Sequence, residues 1–194
     1  VGSIGSYLLW LINFKCFILG LLAIVIYALI YTPLKKTTPF AVFVGAIPGS
    51  IPPLLGYVAI SDDFGLEPGI LFVVQFFWQF PHFWAIGWLM FEDYNRVGIN
   101  MLPSGRRDRK TALQAVLYSV WTLVISVFPV LGITGSLQIS LVAAILVALS
   151  GLGLIIFAMR LYQKLDHQSA RQLMIVSVIY ISWIQIIYVI DKFI

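Results

Sequence analysis

The chain has 194 residues, of which 61% are hydrophobic and 10% charged, and its mean hydropathy is +0.99. A soluble domain carries roughly 25% charged residues, so a water-soluble globule around one apolar core is excluded and an integral membrane protein is indicated. The net charge of +4 comes from basic residues flanking apolar runs, not from one folded basic face, which argues for a lipid bilayer as partner and against nucleic acid.

Each apolar run is near the roughly 20 residues that a bilayer core demands and well beyond the roughly 9 to 11 of a barrel strand. Six spans are predicted: Tyr7–Tyr31, Phe40–Ile60, Gly69–Phe91, Ala112–Ile133, Leu137–Met159 and Leu173–Ile190. No repeat, low-complexity segment or long polar linker divides them, so residues 1–194 read as a single all-α, polytopic transmembrane bundle.

The chain opens at Val1, without a methionine, in a glycine-serine stretch, and sequence upstream of it is expected. The first span carries Lys15, expected to snorkel outward, and Cys16, the only cysteine, which excludes an intrachain disulfide. Lys35 and Lys36 follow it. In the second span, Pro48, Pro52 and Pro53 alternate with Gly45, Gly49 and Gly56. Prolines remove ladder hydrogen bonds, so this helix is expected to bend, either around a chamber or for packing alone.

The third span and its exit, QFFWQFPHFWAIGWLMFEDYNRVGINMLP, hold the most chemistry. Gln75, Gln79 and His82 are costly in lipid unless they face protein or a polar cavity. Positions 75, 79, 82, 86, 89 and 93 share one face if the helix runs on through Asp93, and His82 then lies about 16 Å below Asp93. Such a wall suits a large flat group held deep and an ion at the mouth; polar contacts between helices are the plainer alternative.

The loop Tyr94–Lys110 joins an apolar spot, Met101, Leu102 and Pro103, to SGRRDRK. It suits a lid over an opening, while Arg106, Arg107, Arg109 and Lys110 suit lipid headgroups and Asp108 a helix cap. In the later spans, Gly132, Gly135, Gly151 and Gly153 suggest close helix contacts, and His167 reads as solvated.

Lys35, Lys36, Arg96, Arg106, Arg107, Arg109, Lys110, Arg160, Lys164 and Arg171 all fall in alternate connections or the helix ends beside them, whereas Asp62, Asp63 and Glu67 fall in the others. The positive-inside rule therefore puts the basic connections in the cytoplasm, with Val1 and Ile194 outside. Lys35 and Lys36 then share a membrane face with Glu92, Asp93 and Arg96. Carboxylates suit magnesium and lysine or arginine suits phosphate, so the set is able to hold a magnesium diphosphate; ordinary loops with one acidic pair explain the same charges.

YTPLKKTTPF, VGAIPGSIPPLLGY and WQFPHFWAIGWLMFEDYNRVGINMLP resemble the successive signature segments of the haem O synthases, or protohaem IX farnesyltransferases, within the UbiA-type intramembrane prenyltransferases. The resemblance covers roughly residues 27 to 103. It implies the C-terminal part of a bundle of about nine helices, and transfer of farnesyl from farnesyl diphosphate to a vinyl group of haem B with addition of water, giving haem O for terminal oxidases. It implies magnesium at Glu92 and Asp93, diphosphate at Lys35 and Lys36, and substrate contacts from His82, Arg96, Gln79 and Tyr31. Trp78, Trp84 and Trp88 are candidate walls that shelter an allylic cation, beside the commoner use of tryptophan in aromatic belts at the bilayer edges.

The resemblance further implies a bacterial inner membrane, cytoplasmic catalytic loops, and haem A synthase or the oxidase assembly as protein partners. The family's first aspartate-rich motif has no counterpart in residues 1–34, which contain no Asp or Glu. Without it the chain is expected to be inactive. Two alternatives stand beside this reading: prenyl transfer to a quinone or other aromatic acceptor, and a non-catalytic transporter or membrane subunit.

Overall fold

A computed structural model describes residues 1–194 and is all-helical. Six helical segments are long and apolar enough to cross a membrane: Phe14–Leu34, Ala41–Ser61, Leu66–Leu89, Arg109–Leu131, Leu141–Lys164 and His167–Asp191. The first expected span is broken, however. Helix α1 (Gly2–Ile12) ends at Asn13, whose extended backbone starts α2 (Phe14–Val25). The Asn13 side chain caps α2 by accepting from the Cys16 backbone N–H at 2.7 Å and donates to the Val58 carbonyl at 3.1 Å. Its amide thus satisfies the Cys16 N–H, which the first turn of α2 leaves without a partner, and adds a second donor to the Val58 carbonyl, which already accepts from the Asp62 N–H.

Helix α1 folds back antiparallel to α2, so that a side chain added at Gly2 would touch Ile24 at 3.7 Å and Gly20 lies against Leu9. Val1 therefore sits level with the end of α2, midway along the Phe14–Leu34 span, not at the outer face with Ile194. Lys15 does reach outward, to Asp62 at 3.4 Å.

Beyond α2 the chain passes through a π-helical turn, Ile26–Tyr31, into the short α3 (Thr32–Leu34). The Thr32 backbone N–H and hydroxyl both bond the Tyr27 carbonyl, five residues back, and Pro33 has no N–H to restore the tighter register. Helix α4 (Ala41–Ser61) keeps its three internal prolines, and α5 (Leu66–Leu89) keeps Pro81. A short α6 (Phe91–Arg96) follows, then α7 (Arg109–Val127), α8 (Leu141–Lys164) and α9 (His167–Asp191). Asp108 caps α7 by accepting from the Thr111 backbone N–H at 2.9 Å, as expected.

Helix α5 is the hub, packed on α4, α7 and α9. Cross-links sort the connections into two ends. At one, Glu67 accepts from the Ser136 backbone N–H at 2.6 Å and Asp191 from that of Ser140 at 2.7 Å. At the other, Arg107 and His167 reach the end of α5. Of the four later glycines, Gly151 lies close against Leu123 of α7 and Gly135, in a turn at φ +67°, lies close against the Glu67 carboxylate, whereas Gly132, in a turn at φ +69°, and Gly153 face open space.

Candidate functional site

The polar seam of α5 divides between two neighbours. The Gln79 amide nitrogen donates to the Ala46 carbonyl at 3.0 Å and to Ser50 Oγ at 2.9 Å, both on α4, and lies 3.2 Å from the Gln75 carbonyl. Gln79 is 3% exposed and its donors are spent, so only its carbonyl side, against Gly49, is left for any other molecule. As an expected substrate contact it is largely consumed by joining α4 to α5. Spacing alone did not reveal this, because the partners lie about 30 residues upstream.

His82 turns toward α9. Its Nδ1 lies 2.9 Å from Ser177 Oγ, and its ring stacks on Trp78 with centroids 4.9 Å apart. Ser177 already gives its hydroxyl hydrogen to the Met174 carbonyl at 2.7 Å, so Nδ1 must be the donor to Ser177. That tautomer leaves the Nε2 lone pair free, and Nε2 has no hydrogen-bond partner and is not buried. The Trp78 indole N–H donates to the Ser177 carbonyl at 2.6 Å and holds the stack in place.

The helix carrying this seam does not run through to Asp93. It breaks at Met90, with φ −96° and ψ 19°, and α6 starts in a new direction. The expected single face from Gln75 to Asp93 is therefore interrupted. No proline lies within the break. Instead, the Trp88 carbonyl accepts from Arg107 Nε at 2.8 Å and the Leu89 carbonyl pairs with His167 Nε2 at 3.2 Å. Neither group behaves as the sequence suggested: Arg107 is not a free headgroup anchor, and His167 is not merely solvated.

Glu92 and Asp93 sit on α6, each more than half exposed. Glu92 pairs with Arg107 Nη1 at 3.4 Å, and Asp93 with Arg96 one turn on at 3.5 Å. Lys35 lies over the Tyr31 ring, 5.7 Å from its centroid, and Tyr31 packs against Gly45. Lys35 and Lys36 share the membrane end of α6, but neither forms an ion pair with Glu92 or Asp93. No third histidine, cysteine or carboxylate gathers with the acidic pair.

Two hollows flank the proline-bearing helix α4. One of about 430 Å³ is lined by Tyr27, Gly45, Pro48, Gly49, Gln79 and Phe83. The other, about 830 Å³, lies toward the Asp191 end and includes Pro52, Pro53, Gln75, Gln185 and Lys192. The α4 prolines thus border open space on both sides, which fits the chamber-lining alternative. Of the tryptophans, Trp78 and Trp88 are buried in the packed core, while Trp84 borders a hollow of about 500 Å³ with Phe43, Phe80 and Tyr118. Tyr27 and Phe83 line the smaller hollow instead, and Phe83, next to His82, was the available signal.

The loop from Gly98 to Asp108 is docked and does not hang as a free lid. Leu102 is 1% exposed and, with Met101, lies so close to Gly87 that a Cβ there would meet both at 3.1 Å. Ser104 bonds Asp108 and Thr111, each at 2.8 Å, which ties the loop to the start of α7.

The family model for the UbiA prenyltransferase family matches residues 1–183. The chain belongs to the UbiA prenyltransferase family. Among curated relatives of this UbiA chain, it is 55% identical over 98% of its length to a protein of Flavobacterium johnsoniae, 52% over 98% to one of Christiangramia forsetii, and 40% over 90% to one of Cytophaga hutchinsonii. Each is named protoheme IX farnesyltransferase, and the matched regions are 63%, 64% and 60% of those proteins. The chain thus spans less than two-thirds of the length of these relatives. No solved structure matches it.

Proposed function

We propose that this chain belongs to a protoheme IX farnesyltransferase that joins farnesyl from farnesyl diphosphate to a vinyl carbon of haem B, with addition of water, in a bacterial inner membrane. The observation that carries the reading is His82: an imidazole fixed by Ser177 with its Nε2 lone pair accessible, on the helix that precedes the one bearing the acidic pair. About 12 Å of helix separates His82 from the break at Met90, which suits a macrocycle held below a cytoplasmic head group. The printed names of the relatives support the same reading.

In this reading, Asp93 and Glu92 face a magnesium ion, and Lys35, Lys36 and Arg96 face the diphosphate. Two adjacent, exposed carboxylates with no third acidic group fit an ion that keeps most of its water and takes its other ligands from phosphate oxygens. Magnesium bound there would balance the charge that collects on the diphosphate as the allylic C–O bond ionises. The lysine ammoniums and Arg96 add donors to the same oxygens. Tyr27 and Phe83 line the hollow where the farnesyl cation would lie, so their rings are the candidates to shelter it. His82 Nε2 holds the haem, by iron or by hydrogen bond, so that its vinyl carbon meets that cation.

The test is to incubate the full-length protein with haem B, farnesyl diphosphate and magnesium, and to extract the pigment. A product heavier than haem B by one farnesyl group and one hydroxyl group is expected, and Asp93→Asn should abolish it. A prenylated quinone in place of that pigment, or no haem binding at all, overturns the reading.

A further inference from the structure

Three contacts of one guanidinium meet where α5 gives way to α6. Arg107 Nε donates to the Trp88 carbonyl at 2.8 Å, Nη1 reaches Glu92 at 3.4 Å, and the guanidinium carbon lies 4.9 Å from the centre of the Phe91 ring. The side chain is only 29% exposed, in contrast to the 79% of Arg96 in its pair with Asp93. A helix running on past Leu89 would take its late carbonyls as internal acceptors; here Arg107 holds that of Trp88 and His167 that of Leu89. Arg107 is itself placed by the docked loop, through buried Leu102 and the Ser104–Asp108–Thr111 contacts.

We propose that Arg107 is a positioning residue that fixes the break at Met90 and the aim of α6, and that of the two acids facing the divalent cation Glu92 serves chiefly as its anchor while Asp93 is the principal ligand. This rests on the prenyltransferase reading for the identity of the ligand, but not for the strut. Of the two adjacent acids, only Glu92 is tied to an element outside α6, and its partner simultaneously grips the preceding helix. Asp93 is held only by the exposed Arg96 one turn away, a contact that an arriving cation displaces at little cost.

The experiment compares Arg107→Gln, Arg107→Lys, Glu92→Gln, Asp93→Asn and the double variant R107Q/E92Q in the full-length protein. Three quantities are measured: amide hydrogen exchange over residues 91–97, the magnesium concentration that half-saturates farnesyl diphosphate binding, and haem affinity by Soret titration. R107Q should speed exchange of the α6 amides and raise the magnesium requirement about tenfold or more, with haem affinity within about twofold of wild type. R107K, which keeps the charge but not the fork, should fall between. E92Q should raise the requirement only about threefold, D93N should remove magnesium dependence, and R107Q/E92Q should be no worse than R107Q because the two act as one unit.

Wild-type exchange over 91–97 in R107Q overturns the strut, and E92Q as damaging as D93N overturns the division between the acids. Should R107Q fail to insert, R107K decides the strut by the same exchange measurement. If wild type itself shows no magnesium-dependent diphosphate binding, the prenyltransferase reading and the role given to Asp93 both fail, while exchange in R107Q still decides the strut alone.

Discussion

Ser177 is small, buried and easily passed over in sequence, yet it decides what His82 can do. Because its own hydrogen goes to Met174, it compels the imidazole to donate from Nδ1, which in the neutral ring leaves the lone pair on Nε2. Replacing Ser177 with Ala removes that constraint and should weaken haem binding about tenfold while leaving magnesium-dependent diphosphate binding intact, as paired Soret and diphosphate titrations would read. The sequence marked His82 correctly as a costly intramembrane group, since lipid penalises any polar side chain without a partner. Ser177 was not legible, because its role arises from a contact 95 positions away that no local pattern encodes. Gln79 illustrates the converse: its cost in lipid was equally visible, but its amide is occupied by α4.

Helices α4 and α5 meet where Gly49 leaves room for the Gln79 carbonyl. A methyl group there collides with that oxygen, so Gly49→Ala should push the amide off Ala46 and Ser50 and cost about 1 to 3 kcal/mol, read as a lower melting temperature in detergent. At the start of α7, burial raises the Asp108 carboxyl pKa, but hydrogen bonds from the Thr111 N–H, Ser104 and the Thr111 hydroxyl outweigh it and hold the group below the usual carboxylate range. A folded pKa below the unfolded one contributes stability that is complete above the unfolded value and vanishes as pH falls through the folded one. Melting should therefore be insensitive to this group near neutrality and should lose its contribution only below about pH 4. Asp108→Ala should remove about 1 kcal/mol at pH 7 and flatten that acid limb.

This cap was legible, since an aspartate before an apolar run is a local signal. The break at Asn13 also had one, an asparagine two residues before a lysine inside an otherwise apolar run. The break at Met90 had none: residues 88–91 read WLMF, all compatible with a continuous helix, and it is Arg107 and His167 that hold the exit bent.

Across the molecule, the membrane makes its own demands visible. Each span must satisfy its backbone internally and match the bilayer, so the six crossings follow from hydropathy, and the alternation of basic connections agrees with the two ends that the cross-links define. What hydropathy cannot supply is the horizontal arrangement, namely which helix faces which, and so the separate destinations of Gln79 and His82 lay beyond it. The orientation is open to a direct check. In a variant whose native Cys16 is replaced by Ser, a cysteine at exposed Asn95 should react with an impermeant maleimide only from the cytoplasmic side, and one at Asp63 only from the opposite side. Reaction of both from one side would contradict the alternation.

The exposed pair between Asp93 and Arg96 carries a thermodynamic consequence of its own. At rest the two side chains cancel one another, so the acidic helix offers incoming ions neither a clear minus nor a clear plus. On the proposed reading, a metal that takes the carboxylate evicts the arginine, which then stands loose beside the place where phosphate oxygens arrive. Each visitor thereby improves the welcome for the other, and by reciprocity the metal should bind more tightly in the presence of the diphosphate by the same factor that the diphosphate gains from the metal.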